Sequence, residues 1–379
     1  MTPIDPAAPP TDLAKGANQF ALALWGHLPA GNLAVSPASM AIPLTIVWGG
    51  AKGETATQIA NLLKLSGAPD VVLSRWGNLA KSLVDGKRPL TLKMANRVYA
   101  EKTYDIDTTY FTIARHAFDV WIEPVDFITS DQRVRVQINT WVADQTEQRI
   151  KDLLAPHHVT PATKLVVVNA IYFLADWAVP FDKARTQPRT FWVNGTTQSQ
   201  VPTMARLDGF RYASGSGAAL IELPYKGDSM AMYVLVPDAR DGLAAVEKAL
   251  EPTLKALQPK LAMREIALTL PRFTIDPPQP LELDAALKAM GMTSAFNAHT
   301  ADFTGLAREG MFISSVVHKA FVKVDEKGTE AAAATAIVMG PGGAPPKPVE
   351  LKADHPFLFV IVDKATGLIM FLGRVVDPK

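Results

Sequence analysis

Residues 324–351 read VDEKGTEAAAATAIVMGPGGAPPKPVEL, and the two ends of this stretch want different structures. A charged start runs into four consecutive alanines, Ala331 to Ala334, and then a short β-forming run from Thr335 to Val338. Of residues 340–348, seven are Gly or Pro. Such a tail cannot join a hydrogen-bonded ladder, and as an exposed loop it is where proteases cut. In the front half, Thr329, Ala331, Ala333, Thr335, Ile337 and Met339 alternate onto one face, and the early members are small enough to slide between existing strands. Glu330 falls on the other face, where it can stay in water, and Gly328 supplies a hinge. The composition fits a bait loop whose front half inserts into a sheet. It fits equally an alanine-rich linker ahead of the last strands.

The rest of the chain narrows the setting. It has 379 residues and 48% apolar composition, enough for a large core. Lys plus Arg (38) balance Asp plus Glu (37), so no pull toward nucleic acid or an anionic membrane is expected. No 18-residue apolar run is present to span a bilayer. With no cysteine there is no disulfide, thiolate nucleophile or cysteine metal site. Residues 1–10, with four prolines, read as a disordered leader without the pattern of a signal peptide. The expected location is extracellular or periplasmic if a signal peptide was removed, and otherwise cytoplasmic.

Periodicity predicts helices early and strands late. Leu13, Ala17, Phe20 and Leu24 share a helical face. Ser36 before Pro37 starts a second helix, which Pro43 should kink. Residues 131–154 read as one long amphipathic helix, and KLVVVNAIYF as a strand buried on both faces. Strand-like runs then dominate, ending in two apolar strands joined at Lys364 to Gly367. The fold class is α+β.

A search for chemistry finds no nucleophile elbow, zinc-helix motif, Walker loop or dinucleotide fingerprint, so no catalytic residue, metal ligand or cofactor is assigned. His157 and His158 read as a solvated loop pair, since adjacent residues do not share a face well enough to chelate. Asn194 in NGT matches a glycosylation sequon and also a hairpin turn. Arg75, Lys81, Lys87 and Arg88 read as a polyanion patch or a solvated face. His318 alternates with Val316, Ala320, Val322 and Val324, so it is a buried histidine, either an ordinary satisfied one or a clasp between strands that must separate.

The motifs NLAVSPASM, INTWVADQTEQRIKDLL, LVVVNAIYFLADWAVPFD, ELPYKGDSMAMYVLVPD, VVHKAFVKVDEKGTEAAAATA and HPFLFVIVD together resemble the serpins, in family order, from about residue 11 to 377. The chain is similar to a prokaryotic-like, cysteine-free member of inhibitory type. The resemblance implies one serpin domain over 11–379, with three β-sheets, eight or nine helices and an exposed reactive-centre loop at about 327–350. It implies no enzyme but a suicide-substrate inhibitor of serine proteases: cleavage, an acyl-enzyme, then insertion of residues 329–342 into the central sheet. Glu326, Gly328, Thr329 and Ala331, Ala332, Ala333 and Ala334 match the hinge. Ser36, Ser39, Asn169 and His318 match the cluster controlling sheet opening, and Trp177 the point where insertion begins. Counting sixteen residues past Glu326 puts the reactive bond at Gly342–Gly343, with Met339–Gly340 as second choice because the segment before Pro356 is longer than the family pattern. The expected partner is a serine protease, elastase-like or subtilisin-like, met by a monomer. The alternative is a non-inhibitory serpin acting as a binding or chaperone-like protein, which the small hinge residues disfavour.

Overall fold

The computed structural model describes residues 11–107, 110, 112, 122–193, 195–308, 310–329 and 347–379. The chain opens with α1 (Thr11–Trp25), β1 (Leu33–Val35), α2 (Pro37–Gly49), α3 (Gly53–Leu63) and α4 (Pro69–Leu83). There follow β2 (Leu90–Glu101), β3 (Ile122–Val125), α5 (Phe127–Gln145), β4 (Leu165–Asp176), β5 (Gln187–Val193), β6 (Thr197–Gly215), β7 (Ala218–Pro224) and β8 (Met230–Pro237). The last part holds α6 (Leu243–Lys248), α7 (Leu250–Leu257), β9 (Ala262–Pro271), β10 (Phe273–Ile275), β11 (Leu281–Glu282) and α8 (Asp284–Ala289). It closes with β12 (Ser315–Val324), β13 (Gly328–Thr329), β14 (Val349–Lys352), β15 (Phe357–Asp363) and β16 (Ile369–Val375). Eight α-helices lie among the described residues, as the α+β reading expects. The proposed leader 1–10, Asn194, Ala331 to Ala334 and both candidate reactive bonds, Gly342–Gly343 and Met339–Gly340, fall outside the described residues.

The strands form a seven-stranded sheet with the path β10-β12-β4-β2-β3 and a nine-stranded one. The larger network divides at the 19-residue β6, whose start pairs with β5 and whose end pairs with β7. Its two arms and the smaller sheet give the three sheets expected. The β5–β6 hairpin favours the turn reading at NGT: Gly195 stands at φ +76° and Thr196 N–H donates to the Val193 carbonyl.

Strand β4 is the centre of the smaller sheet, and its alternation divides two cores. Leu165, Val167, Ile171 and Phe173 face the main core. Val166, Val168, Ala170 and Tyr172 face a second cluster built by α5 and the segment after it, with Ile150, Leu153, Leu154 and Val159. The predicted long helix therefore ends early. It stops at Gln145, and Glu147 and Gln148 take left-handed backbone (φ +51° and +61°), turning residues 149–159 down onto the sheet. Burying those four side chains stabilises the turn more than continued helix would, at roughly 1.5–3 kcal/mol per large apolar side chain.

The basic patch also resolves differently. Arg75 is buried and paired with Asp12, and Arg88 Nη1 meets the buried Asp363 carboxylate at 2.8 Å. Two of the four cations are thus engaged inside the structure rather than forming an open surface.

Strand β16 is held close between β1 and β15 at Gly373, where an added Cβ would collide with the Phe359 ring and lie 2.9 Å from the Leu33 carbonyl oxygen. Gly373→Ala is expected to cost about 1–3 kcal/mol by overpacking. A thermal melt unchanged from wild type would contradict this packing.

Candidate functional site

The site is a seam. Strands β4 and β12 run parallel and bond directly to each other, from Ser315 opposite Val166 to Phe321 opposite Tyr172. On its other edge β4 pairs antiparallel with β2. At one level the three strands carry Asn96, Asn169 and His318 side by side, a polar row in an otherwise apolar layer.

That row is satisfied by the first turn of α2. Ser36 caps the helix, accepting from Ser39 N–H, and its own N–H donates to His318 Nε2 at 3.1 Å. This fixes the neutral tautomer, so His318 Nδ1–H donates to Asn169 Oδ1. The Asn169 amide donates in turn to the Ser39 carbonyl at 2.7 Å and also reaches Ser39 Oγ and Asn96 Oδ1. Pro43 explains the free carbonyl. It lacks the N–H that would have bonded Ser39 four residues back, and Asn169 supplies the missing donor. Helix α2 runs through Pro43 as one element, and the hydrogen bond lost at the proline is replaced by a side chain from the sheet.

Above the seam the chain leaves β12 in a tight turn. Asp325 N–H donates to the Gly328 carbonyl at 2.9 Å, and Lys327 N–H to Asp325 Oδ1 at 3.0 Å. The chain then lies back antiparallel on β4, Gly328 opposite Asp176 and Thr329 opposite Ala175. Only glycine fits there: φ is +147°, and a Cβ would overlap the Ala175 carbonyl and sit 2.7 Å from Trp177 N. Glu326 is 2% exposed. Burial alone would raise its carboxyl, but hydrogen bonds from Arg272 and Thr186 outweigh that and hold it below the usual carboxylate range. Trp177 closes the mouth, its Nε1–H on the Asp325 carbonyl at 3.0 Å and its ring stacked on Tyr225 at 4.7 Å.

The structure thus brings Ser36, Ser39, Asn169 and His318 into one network, and Glu326, Gly328, Thr329 and Trp177 into a second, at the end of the same seam. Sequence reasoning missed Asn96, Arg272, Thr186 and Tyr225. Asn96 carried a readable signal, being polar within the alternation of Leu92, Met94 and Val98. Arg272 carried none, because its partner lies 54 residues away.

The histidine pair departs in part from its reading as a solvated loop, since His157 stays exposed while His158 does not. A 3₁₀ turn buries His158, and both Nε2 atoms lie 2.9 Å from Glu282 Oε1. The three ligand atoms lie within 4.8 Å of one another, close enough for a metal ion. The hydrogen bonding opposes one. Ala155 N–H donates to His158 Nδ1 at 2.9 Å, so Nε2 carries the proton and donates to the carboxylate. A histidine bound to metal through Nε2 needs its Nδ1 to donate instead. The group is a hydrogen-bonded clasp.

Burial holds His318 down to about 3, against an ordinary 6.5. The unfolded chain takes up that proton below about pH 6.5 and the folded one does not until about pH 3. Stability from this group is therefore complete above about pH 6.5 and drains away as pH falls through that window. Near pH 5 the loss is about 2 kcal/mol, at roughly 1.4 kcal/mol per unit. Thermal melts between about pH 7 and 5 should fall more steeply for wild type than for His318→Gln, and equal slopes would contradict a neutral buried imidazole.

Comparison with known proteins finds relatives over nearly the whole chain. The profile of the family Serpin (serine protease inhibitor) matches residues 15–378. Serpin B6 of Pongo abelii is 36% identical over 376 residues, covering 97% of this chain and 99% of the relative. Human leukocyte elastase inhibitor is 36% identical over 382 residues with the same coverage. Among solved structures, Serpin48 of the insect Tenebrio molitor superposes with a TM-score of 0.85 at 29% identity, over 97% of this chain and 98% of that one. Uncleaved ovalbumin gives 0.86 at 28% identity, over 97% and 100%. A family match over nearly the whole length, on a fold with a closed seam and a turn at its mouth, leaves one conclusion: the chain belongs to the serpin family of serine protease inhibitors.

Proposed function

We propose that residues 11–379 act as one inhibitory serpin domain, a monomer, whose loop is attacked by a serine protease at Gly342–Gly343. The protease serine forms an ester with the Gly342 carbonyl and the Gly343 amine leaves. The freed strand then enters the seam between β4 and β12, carrying the tethered protease with it before water completes hydrolysis. The observation that carries this reading is the pairing of Gly328 and Thr329 with β4, the first step of a strand directed into the seam.

Continuing that register sets Ala331 opposite Phe173, Ala333 opposite Ile171, Thr335 opposite Asn169, Ile337 opposite Val167 and Met339 opposite Leu165. Small residues meet the large apolar ones near the mouth. Thr335, the polar member of Ala331 to Met339 on this face, meets Asn169, so its hydroxyl takes over the hydrogen bonding that His318 gives up when the strands part. Insertion also replaces one parallel ladder by two antiparallel ones, which are slightly the more stable per residue. About ten added ladder bonds at a net ~0.5–1.5 kcal/mol each favour it, against the cost of ordering the loop.

Glycine or methionine before the cut suits a protease with a small or broad primary pocket, elastase-like or subtilisin-like. The name of the human relative, leukocyte elastase inhibitor, agrees with the first. Lys347 between Pro346 and Pro348 argues against a trypsin-like target.

Incubation with a panel of serine proteases should give an SDS-stable band at the summed mass, with a released fragment beginning at Gly343. A fragment beginning at Gly340 would move the bond to Met339–Gly340, and a cut outside 337–346 would remove the loop from this role. Thr329→Arg puts a cation at the register position opposite buried Ala175, where carrying it into the sheet costs several kcal/mol. The variant should be cut as a substrate without forming the complex. Trapping at normal stoichiometry by Thr329→Arg would overturn the insertion mechanism. Nicking the loop with a non-target protease should raise the thermal midpoint by tens of degrees, where a nick in a plain linker leaves it unchanged or lower.

A further inference from the structure

The segment between α5 and β4, residues 146–164, crosses the seam on the face opposite the main core. It belongs to the β2–β4 half of the sheet. It continues covalently into β4, and Leu154 exchanges hydrogen bonds with Asn139 of α5 in both directions, at 3.0 and 2.8 Å. Helix α5 is itself held to β2 by the Arg97 guanidinium, 4.1 Å from the Trp141 ring centre.

Besides Lys164 N–H, which donates to Ser314 Oγ at 3.0 Å just before β12, side-chain contacts among the described residues reach from this segment to the other half at two levels of the seam. Near the mouth, the Arg149 guanidinium lies 5.8 Å from the Tyr172 ring of β4 and 5.5 Å from the Phe321 ring of β12. These rings are the paired residues of the seam, their centres 6.1 Å apart. Lower down, His157 and His158 meet Glu282 on β11. Strand β11 pairs with the far edge of β12, Leu281 opposite His318, while Asn169 of β4 takes the near edge.

Inserting one strand moves β12 and β11 away from β4 by a strand spacing, about 4.8 Å. A guanidinium touching both rings cannot follow both, and hydrogen bonds of 2.9 Å cannot stretch so far. The register also orders the events. Residue 332 comes opposite Tyr172 early, and residue 336 opposite Val168, the partner of Val317, later. Glu282 pairs with Val317. Resting on the insertion reading above, we infer that the His157–His158–Glu282 clasp is a latch across the seam that must open for insertion to finish, and that Arg149, set against both rings nearer the mouth, resists its start. These are positioning residues for the inhibitory reaction.

The absence of cysteine makes the test clean. In His157→Cys/Glu282→Cys, a bifunctional methanethiosulfonate reagent long enough to span the two thiols would hold the latch shut, and dithiothreitol would release it. The nicked, cross-linked protein should lack the rise in thermal midpoint that nicked wild type shows, and should regain it on reduction. An equal rise before reduction overturns the latch while leaving insertion standing. No rise in nicked wild type overturns insertion and the latch together. In the intact protein, Glu282→Ala should speed covalent trapping severalfold, and Glu282→Gln, which keeps an oxygen acceptor, should stay near wild type. Equal trapping rates for Glu282→Ala and wild type would also overturn the latch.

Discussion

The parallel ladder between β4 and β12 is the constraint on which the rest of this structure depends. It lies at the centre of the seven-stranded sheet, where a seam is least expected to open, and its neighbours are arranged to keep it shut. Apolar side chains cover it on both faces, in the main core and in the cluster under α5. Burial of that kind has no direction and would not by itself choose which pair of strands can part. The polar row does, because hydrogen bonds across a low-dielectric layer have one satisfied geometry and are costly to leave half made.

The row depends on a local rule being broken. A proline inside a helix costs about 3 kcal/mol in isolation, chiefly through a lost hydrogen bond and a steric conflict. Here the orphaned Ser39 carbonyl becomes the acceptor that ties α2 to Asn169, and through Asn169 to His318. The helix start, the central strand and the strand beyond the seam are thus joined through a handful of atoms. The neutral state of His318 follows from the same geometry, since Nε2 faces a backbone N–H and the ring is fully buried.

At the mouth the balance is electrostatic. The turn carrying Gly328 is fastened by Glu326, whose buried carboxylate is acceptable only because Arg272 and Thr186 surround it. Gly328 lies against β4 more closely than any side chain would allow. The turn is therefore held at Glu326 and leads Gly328 and Thr329 onto β4, and residues 146–164 cross the seam on the face opposite the main core. On the insertion proposed above, these contacts cannot all survive one added strand.

Much of this was legible in the linear pattern, and the reason is local. Alternation identified β4 as a strand buried on both faces, and a histidine within an apolar row marked His318 as buried before any partner was known. The small residues after Gly328 and the Gly/Pro tail suggest an insertable segment followed by one that cannot enter a ladder, a reading that falls outside the described residues. Pattern failed where distant parts of the chain compete for the same atoms. Residues 146–154 look helical, yet the sheet offers their apolar side chains more burial than another two turns would. His157 and His158 look solvated, yet only His157 stays exposed, and Glu282, more than a hundred residues away, bonds both. Pro43 reads as a kink with a lost hydrogen bond until Asn169 is placed beside it. The sequence by itself determined which segments are strands, which residues are small and which are buried. Only the tertiary structure decided which strands meet at the seam and which side chains hold it closed, because hydrogen bonds between residues far apart in the chain leave no periodic trace.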